Sequence, residues 1–361
     1  MKLSKISILF TATEAVKALP SYGNAIDDNQ NLTVALVRSA PPNWPLPLLS
    51  YNWTGIKINI TESVDQGIHL IDDASNNGAG MIVFPELWFP GFPKGNSVNN
   101  WTQTHLPSYI ENSLVVGDAN WKRLVDAVKK AGIYAGLAFS ERLDDHIYMA
   151  QSLISPLGDV LIHRHKLRPS GSERSFFSDG TMDELQVVTT ARGRVGMLEC
   201  GEHSYPSLTF IMQAQMENIH IGPFPYLADY GDPEAAGWEG ATVEVAASRH
   251  YAFMTGSYEL MPAVGFAAAF EPSGNMIAQI NASVSFEEHP IVYASINTTT
   301  FNTSQTYDVD SQMSWAVLQQ IVKGYPDYIP RVEGSLVPHK EVSAHWLQTG
   351  ALKYQEDGSY N

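Results

Sequence analysis

Residues 193–217 read GRVGMLECGEHSYPSLTFIMQAQME. The run up to Glu199 has the composition of a strand, the second arm of a hairpin that turns at Arg192-Gly193-Arg194 within LQVVTTARGRVGMLEC (185–200). Pro206 to Glu217 reads as a helix. Cys200 stands between them, at a tight strand-to-helix turn. A side chain placed there is exposed and sits near the positive end of a helix. Such a position predicts a lowered thiol pKa and backbone N–H donors for a developing oxyanion. Cys200 is the sole cysteine of 361 residues, so no intrachain disulfide forms. A single cysteine is either a small buried hydrophobe or a reactive thiol. On this local pattern the two readings stand level.

Working outward, strands and helices alternate. LTVALVRSA (32–40) reads as a strand and Ile60 to Asn76 as a helix; GAGMIVFPE then forms a buried strand ending in a carboxylate. Asn120 to Ala131 is an amphipathic helix, IYAGLAFSER (133–142) a strand, and HIYMAQSLISPLGDVLIHRHK a hairpin. NIHIGPFP (218–225) and IVYASIN are strands, and FMTGSYELMPAVGFAAAFEPSGNMIAQI carries further strands with a Pro-Ser-Gly-Asn turn. Residues 239–252 and 311–323 are helical in pattern, and the segment after Val332 has little periodicity. Such alternation predicts an α/β layered domain. The length suits one large domain, with no composition break marking a second.

The net charge of −16 repels nucleic acid and anionic membrane surfaces, and no run is apolar enough to cross a bilayer. Glu86, after the apolar run of IVFPELWFPGFP, lies where active-site groups gather in α/β folds, although an edge cap or salt bridge would also place it there. Lys166 and Glu173 are anonymous taken singly. His163 and His165 share one strand face, but no third ligand stands at metal spacing. His203, three residues after Cys200, is poorly placed to serve as its base.

Three segments together resemble the nitrilase superfamily in order and spacing: IVFPELWFPGFP with Glu86, HRHKLRPSGSER with Lys166, and GRVGMLECGEHSYP with Cys200. The resemblance runs from about Leu32 to about Tyr328. It implies a four-layer αββα sandwich, assembled as a homodimer or larger homo-oligomer. It implies Cys200 as nucleophile, Glu86 as general base, Lys166 as stabiliser of the tetrahedral intermediate and Glu173 as the family's second glutamate. Gly201, Glu202, His203 and Trp88 are the implied pocket and oxyanion residues. No cofactor or metal is implied, and the substrate class is a small nitrile or amide. Cys-x-Glu-His followed by Pro resembles the true nitrilase branch, as does Lys-Leu-x-Pro-x-x-x-Glu-Arg. The chain departs from that branch at Gly201, where Trp is common, at Ser178-Asp179-Gly180, where Gly-Asp-Gly is frequent, and around VDSQMSWAVLQQ, which lacks a His-Tyr-x-Arg-Pro pattern. The expected reaction is nitrile hydrolysis to acid and ammonia. The alternatives are a hydratase or amidase of the same superfamily, or a catalytically silent glycoprotein of this fold.

The N-terminus, MKLSKISILFTATEAVKALPSYGNA, resembles a secretory signal peptide interrupted by Glu14 and Lys17. Seven glycosylation sequons begin at Asn31, Asn52, Asn59, Asn100, Asn281, Asn297 and Asn302, more than the roughly two or three that ordinary composition would give. Together these predict secretion, with a cytoplasmic enzyme as the alternative. The organisation expected is a leader over 1–25, a hydrolase domain over 30–332 and a tail over 333–361.

Overall fold

The computed structural model describes residues 31–46, 52–93, 101–235, 237–299, 315–324 and 339–350. Its strands are β1 (Leu32–Val37), β2 (Met81–Val83), β3 (Tyr134–Leu143), β4 (His146–Ile154), β5 (Val160–His165), β6 (Val188–Thr190), β7 (Gly193–Met197), β8 (Ile219–Ile221), β9 (Tyr226–Leu227), β10 (Tyr258–Met261), β11 (Val264–Gly265), β12 (Ala267–Phe270), β13 (Met276–Ile280) and β14 (Ile291–Ile296). Its helices are α1 (Ile60–Asn76), α2 (Trp101–Thr104), α3 (Leu106–Glu111), α4 (Ala119–Ala131), α5 (Pro206–Gln213), α6 (Ala241–Thr255), α7 (Trp315–Lys323) and α8 (Ala344–Thr349).

Two six-stranded mixed sheets form, in the orders β14-β1-β2-β3-β4-β5 and β13-β12-β10-β8-β7-β6. Side chains alternate across a strand, and here the alternation sorts residues between layers. Leu32, Val34 and Leu36 of β1, with Met81 and Val83 of β2, meet Val195, Met197, Ile219, Leu260 and Ala267 of the second sheet. Ala35, Val37 and Ile82 point the other way, onto Val64, Ile71, Leu124 and Val128 of α1 and α4. On the far side of the second sheet, Met261, Ala268 and Phe270 pack against Val245 and Ala252 of α6. The layers are therefore helix, sheet, sheet, helix: the four-layer αββα sandwich expected.

Local signals start and stop the outer helices. Asn59 caps α1, its Oδ1 accepting from Thr61 N at 3.0 Å. Asp118 caps α4 through Trp121 N at 2.7 Å, and Gly132 ends it in the left-handed conformation. Asn59 and Asn297 are half-buried and so are not the freely exposed sequon asparagines expected; Asn31, Asn52 and Asn281 are exposed. Asn100, Asn302 and the 1–25 segment lie outside the described residues.

The C-terminal region contains a helix that periodicity did not announce. Ala344 and Leu347 of α8 join the aromatic cluster of Trp44, Trp53, Trp101 and Tyr109. Ser343 Oγ and His345 N both donate to the Asp145 carboxylate, and Val342 N donates to Ser178 Oγ at 2.9 Å. Asp179 N donates to Lys340 O, and Lys340 N returns a bond to Asp179 Oδ2.

Arg38, fully buried at the end of β1, donates to the carbonyls of Gly265, Asn281, Val284, Ser285 and His289. It therefore holds the 281–289 loop against the sheet. Arg38→Met keeps the apolar stem but strands these acceptors; it is expected to destabilise the fold by about 2–4 kcal/mol, read as a lower denaturant midpoint at unchanged slope.

Candidate active site

Three strand ends converge. Glu86 follows β2, its N–H bonded to Phe224 O at 3.0 Å; Lys166 directly follows β5; Cys200 follows β7. Lys166 Nζ donates to Glu86 Oε1 at 2.8 Å and to Glu173 Oε2 at 3.1 Å. All three side chains are buried. Glu173 is fixed because it is also the N3 residue of a capping box, its Oε2 accepting from Ser170 N at 2.6 Å. The Cys200 thiol lies beside the Glu86 carboxylate, close enough for each to shift the other's pKa. Glu86 Oε2 is buried without a nitrogen or oxygen donor, which leaves it as the free acceptor.

The backbone at Cys200 is strained and pinned. Its φ is 45°, in the left-handed region that non-glycine residues rarely occupy. Cys200 N donates to Pro223 O at 2.9 Å, and Cys200 O accepts from His203 Nδ1 at 2.8 Å. A 3-10 turn over Cys200–Ser204 separates the thiol from α5, which begins only at Pro206.

Charge is arranged around burial. Burial pushes Glu86 up, Lys166 opposes the rise and the charge of Glu173 adds to it, so its pKa stands at about 7. Burial works against the Lys166 charge, but Glu173 and Glu86 outweigh it and hold the ammonium well above its ordinary value. The thiol departs from the sequence expectation. Burial, reinforced by the charge of Glu86, pushes Cys200 well up rather than down. The resting pair is thus a thiol beside a carboxylate, not a preformed thiolate. Glu199, fully buried next to the cysteine, is pushed well above the usual carboxylate range by burial and by Glu86.

The other expected pocket residues divide. Glu202 is a positioning residue: Oε1 accepts from Leu167 N at 3.0 Å and Arg164 Nη2 at 2.7 Å, and Oε2 accepts from Glu199 N at 2.8 Å. It thereby joins the residue after Lys166 to the residue before Cys200. Arg164 and Gln151 extend the stitch, Gln151 Nε2 donating to Leu198 O. His203 is turned away from pocket duty: Nδ1 holds Cys200 O and Nε2 lies 3.1 Å from His220 Nε2. Burial, with His220 beside it, pushes its pKa well below the ordinary value, so the ring is neutral. Trp88 is buried, donates to Ser39 O, and lines a cavity of about 10 Å³ with Glu86, Phe92 and Tyr226. Gly201 faces Ser170, whose Oγ an added Cβ would approach to 2.9 Å. Ser170, Leu167, Glu202 and Tyr205 border a larger cavity of about 540 Å³.

Sequence reasoning missed Glu199 and Glu141. Glu141 receives both His163 Nε2 at 3.0 Å and His165 Nε2 at 2.9 Å. Burial alone would raise Glu141, but the two imidazole bonds hold it down at about 2; burial would lower His165, but Glu141 and Glu184 hold it at about 9. The Glu141 carboxylate is thereby satisfied by both rings. This third member of the group comes from the strand two places away in the sheet, so spacing along the chain could not supply it.

A single thiol, a carboxylate beside it and a buried ammonium, set at the strand ends of an αββα sandwich, make the apparatus of a thiol-based hydrolase. The chain belongs to the carbon–nitrogen hydrolase family, whose sequence profile matches residues 33–301, and within it to the nitrilase branch. It is 31% identical to an arylacetonitrilase of Aspergillus oryzae over 62% of this chain and 74% of that one. It is 36% identical to a cyanide hydratase of Aspergillus niger over 56% and 59%. The match to a nitrilase of Talaromyces marneffei, also 36%, spans 57% of that protein. In fold it is similar to an amidase from Nesterenkonia sp. AN1 whose active-site cysteine carries the acetamide moiety of fluoroacetamide (TM-score 0.58, 14% identity, 82% of this chain and 98% of that one).

With Glu86 near 7, its carboxylate form is lost as pH falls. We expect kcat/KM to drop about tenfold per pH unit below pH ~7, and Glu86→Gln to lower kcat roughly 10²–10⁴-fold. A flat acid limb between pH 5 and 8 in the wild type would count against this assignment.

Proposed function

We propose that this protein is a nitrilase, hydrolysing a nitrile to a carboxylic acid and ammonia through covalent attachment to Cys200. The observation that supports it most directly is the Glu86 carboxylate, bound to Lys166 on one oxygen and carrying the Cys200 thiol as a neighbour. Glu86 takes the thiol proton as Cys200 Sγ attacks the nitrile carbon, and the nitrogen receives that proton, giving a thioimidate. One water adds to the thioimidate carbon, ammonia leaves, and a thioester remains. A second water, deprotonated by Glu86, releases the acid and restores the thiol. Lys166 and backbone N–H groups at the turn stabilise the negative charge of each tetrahedral intermediate. A neutral resting thiol suits this sequence, because the proton removed is the one the substrate nitrogen needs.

The cyanide hydratases among the relatives support a second reading, in which the thioimidate-derived intermediate expels the thiol and yields an amide. The test uses aliphatic, aromatic and arylaceto-nitriles with the matching amides, Cys200→Ala serving as control. Acid with stoichiometric ammonia, absent from the control, is the expected result. Amide without ammonia would transfer the assignment to a hydratase, and turnover of amides alone to an amidase.

Gly201 bears on substrate range. Gly201 packs so closely on Ser170, which borders the larger cavity, that any side chain here must push the Ser170 hydroxyl toward that space. Gly201→Trp is expected to lower kcat/KM for bulky arylaliphatic nitriles by roughly tenfold or more relative to small ones; equal effects on both would show that this position does not set the range.

A further inference from the structure

The turn that carries Cys200 rests on a buried cluster that the chemistry above does not use. His203 from the turn, His220 of β8 and Glu259 of β10 bring two Nε2 atoms and a carboxylate within 4.8 Å of one another. All three are buried. His203 Nε2 stands 3.1 Å from His220 Nε2 and 3.4 Å from Glu259 Oε1, and His220 Nε2 stands 3.9 Å from Glu259 Oε2. Ligands held about 2.0–2.1 Å from a tetrahedral ion are roughly 3.3 Å apart, so these atoms already have the spacing of a coordination shell.

The hydrogen bonds around the cluster point the same way. His203 Nδ1 faces Cys200 O, which only accepts, so that nitrogen carries the proton. His220 Nδ1 faces both carboxylate oxygens of Glu217 at 2.9 Å and is likewise a donor. In neutral rings each Nε2 is then a bare lone pair, and the two lone pairs face each other at 3.1 Å. Both oxygens of Glu259 are buried without a hydrogen-bond partner, an arrangement that folded proteins seldom leave uncompensated. One cation among the three would satisfy all of them. A backbone carbonyl and a carboxylate on the outer nitrogens are the usual supports of metal-bound histidines. Glu217, which also accepts from Tyr251 Oη, and Glu259 bring two carboxyl groups to the cluster, the anionic chemistry that a doubly charged ion recruits. The backbone makes way for the cluster: a Cβ at Gly222 would overlap Glu259 and come within 2.7 Å of His203 Nε2, and one at Gly196 would overlap Glu217. The Glu141–His163–His165 group differs, because its carboxylate is already bonded to both rings.

We propose that His203, His220 and Glu259 form a structural site for a divalent transition-metal ion of the zinc type. The ion displaces whatever proton the two Nε2 atoms and Glu259 share and leaves the Nδ1 protons in place. It fixes the His203 ring, and through His203 Nδ1 it holds the carbonyl of the strained Cys200. The cluster is enclosed, so the ion enters as the chain folds.

The test is the metal content of the full-length protein, expressed in zinc-supplemented medium and dialysed against metal-free buffer. Close to one zinc per chain is expected, retained in Cys200→Ala and in His163→Gln. At least a tenfold loss is expected in Glu259→Gln and His220→Asn, each checked for native circular dichroism. Protein grown with cobalt in place of zinc should show the visible bands of a tetrahedral nitrogen and oxygen site, with no thiolate charge-transfer band. These wild-type measurements stand even if a variant fails to fold. Metal-free wild-type protein, zinc lost in His163→Gln or Cys200→Ala, or full zinc content in both Glu259→Gln and His220→Asn would overturn the proposal and leave the cluster a proton-sharing knot.

Discussion

The Lys166 ammonium, sealed between Glu86 and Glu173, is the constraint around which this structure is organised. A buried cation is tolerable only when opposite charge lies against it, and here two carboxylates from different parts of the chain do so. Each is fixed by something else. Glu86 hangs from Phe224 O beyond β2, Glu173 is locked into a helix-start motif, and Lys166 is placed by the end of β5. The second sheet must then deliver its thiol to the same point. Glu202 accomplishes this with one carboxylate, by holding the backbone on either side of the two reactive residues. Face-to-face packing of apolar sheets sets the distance between layers, but this polar stitch sets the register at the reactive end.

Much of the architecture was legible because it is local. Period-two alternation in β1 and β2 divides cleanly between the two cores, and Asn59, Asp118 and Gly132 mark helix ends as their chemistry dictates. Cys200 and Glu86 carried a partial local signal, as a turn cysteine and a carboxylate after a buried strand, whereas Lys166 and Glu173 were legible only through the resemblance of their flanking segments. What could not be read is what depends on residues meeting across sheets. Glu141 reaches the two histidines from a separate strand, and α8 is too short to show periodicity and is held by aromatic packing and by Asp145. The thiol pKa was read in the wrong direction for the same reason. Helix ends are visible in sequence, whereas the enclosure that outweighs them is a property of the assembled layers.

Strain and support are matched at the cysteine. A left-handed residue of this kind persists only where its surroundings over-determine it. Both backbone polar groups of Cys200 are engaged, one with the neighbouring strand end and one with an imidazole. Burial and the Glu86 charge both disfavour a further negative charge on Glu199 beside it. The departures from the branch pattern have structural uses as well. The Ser178 hydroxyl accepts from Val342 N of the C-terminal segment, and the missing side chain at Gly201 lets the turn pack closely on Ser170.

The clasp between residues 339–345 and the 178–180 and Asp145 segments also orders events in time. Gly180 N is bonded to Lys166 O, so the loop that the clasp secures is the one that backs the lysine. During synthesis the clasp leaves the ribosome after every residue of the reactive group. A nascent chain can therefore lay down both sheets while its reactive pocket is still unbraced. The 339–345 stretch acts as a seal, completing the lysine's support only after both sheets have been made.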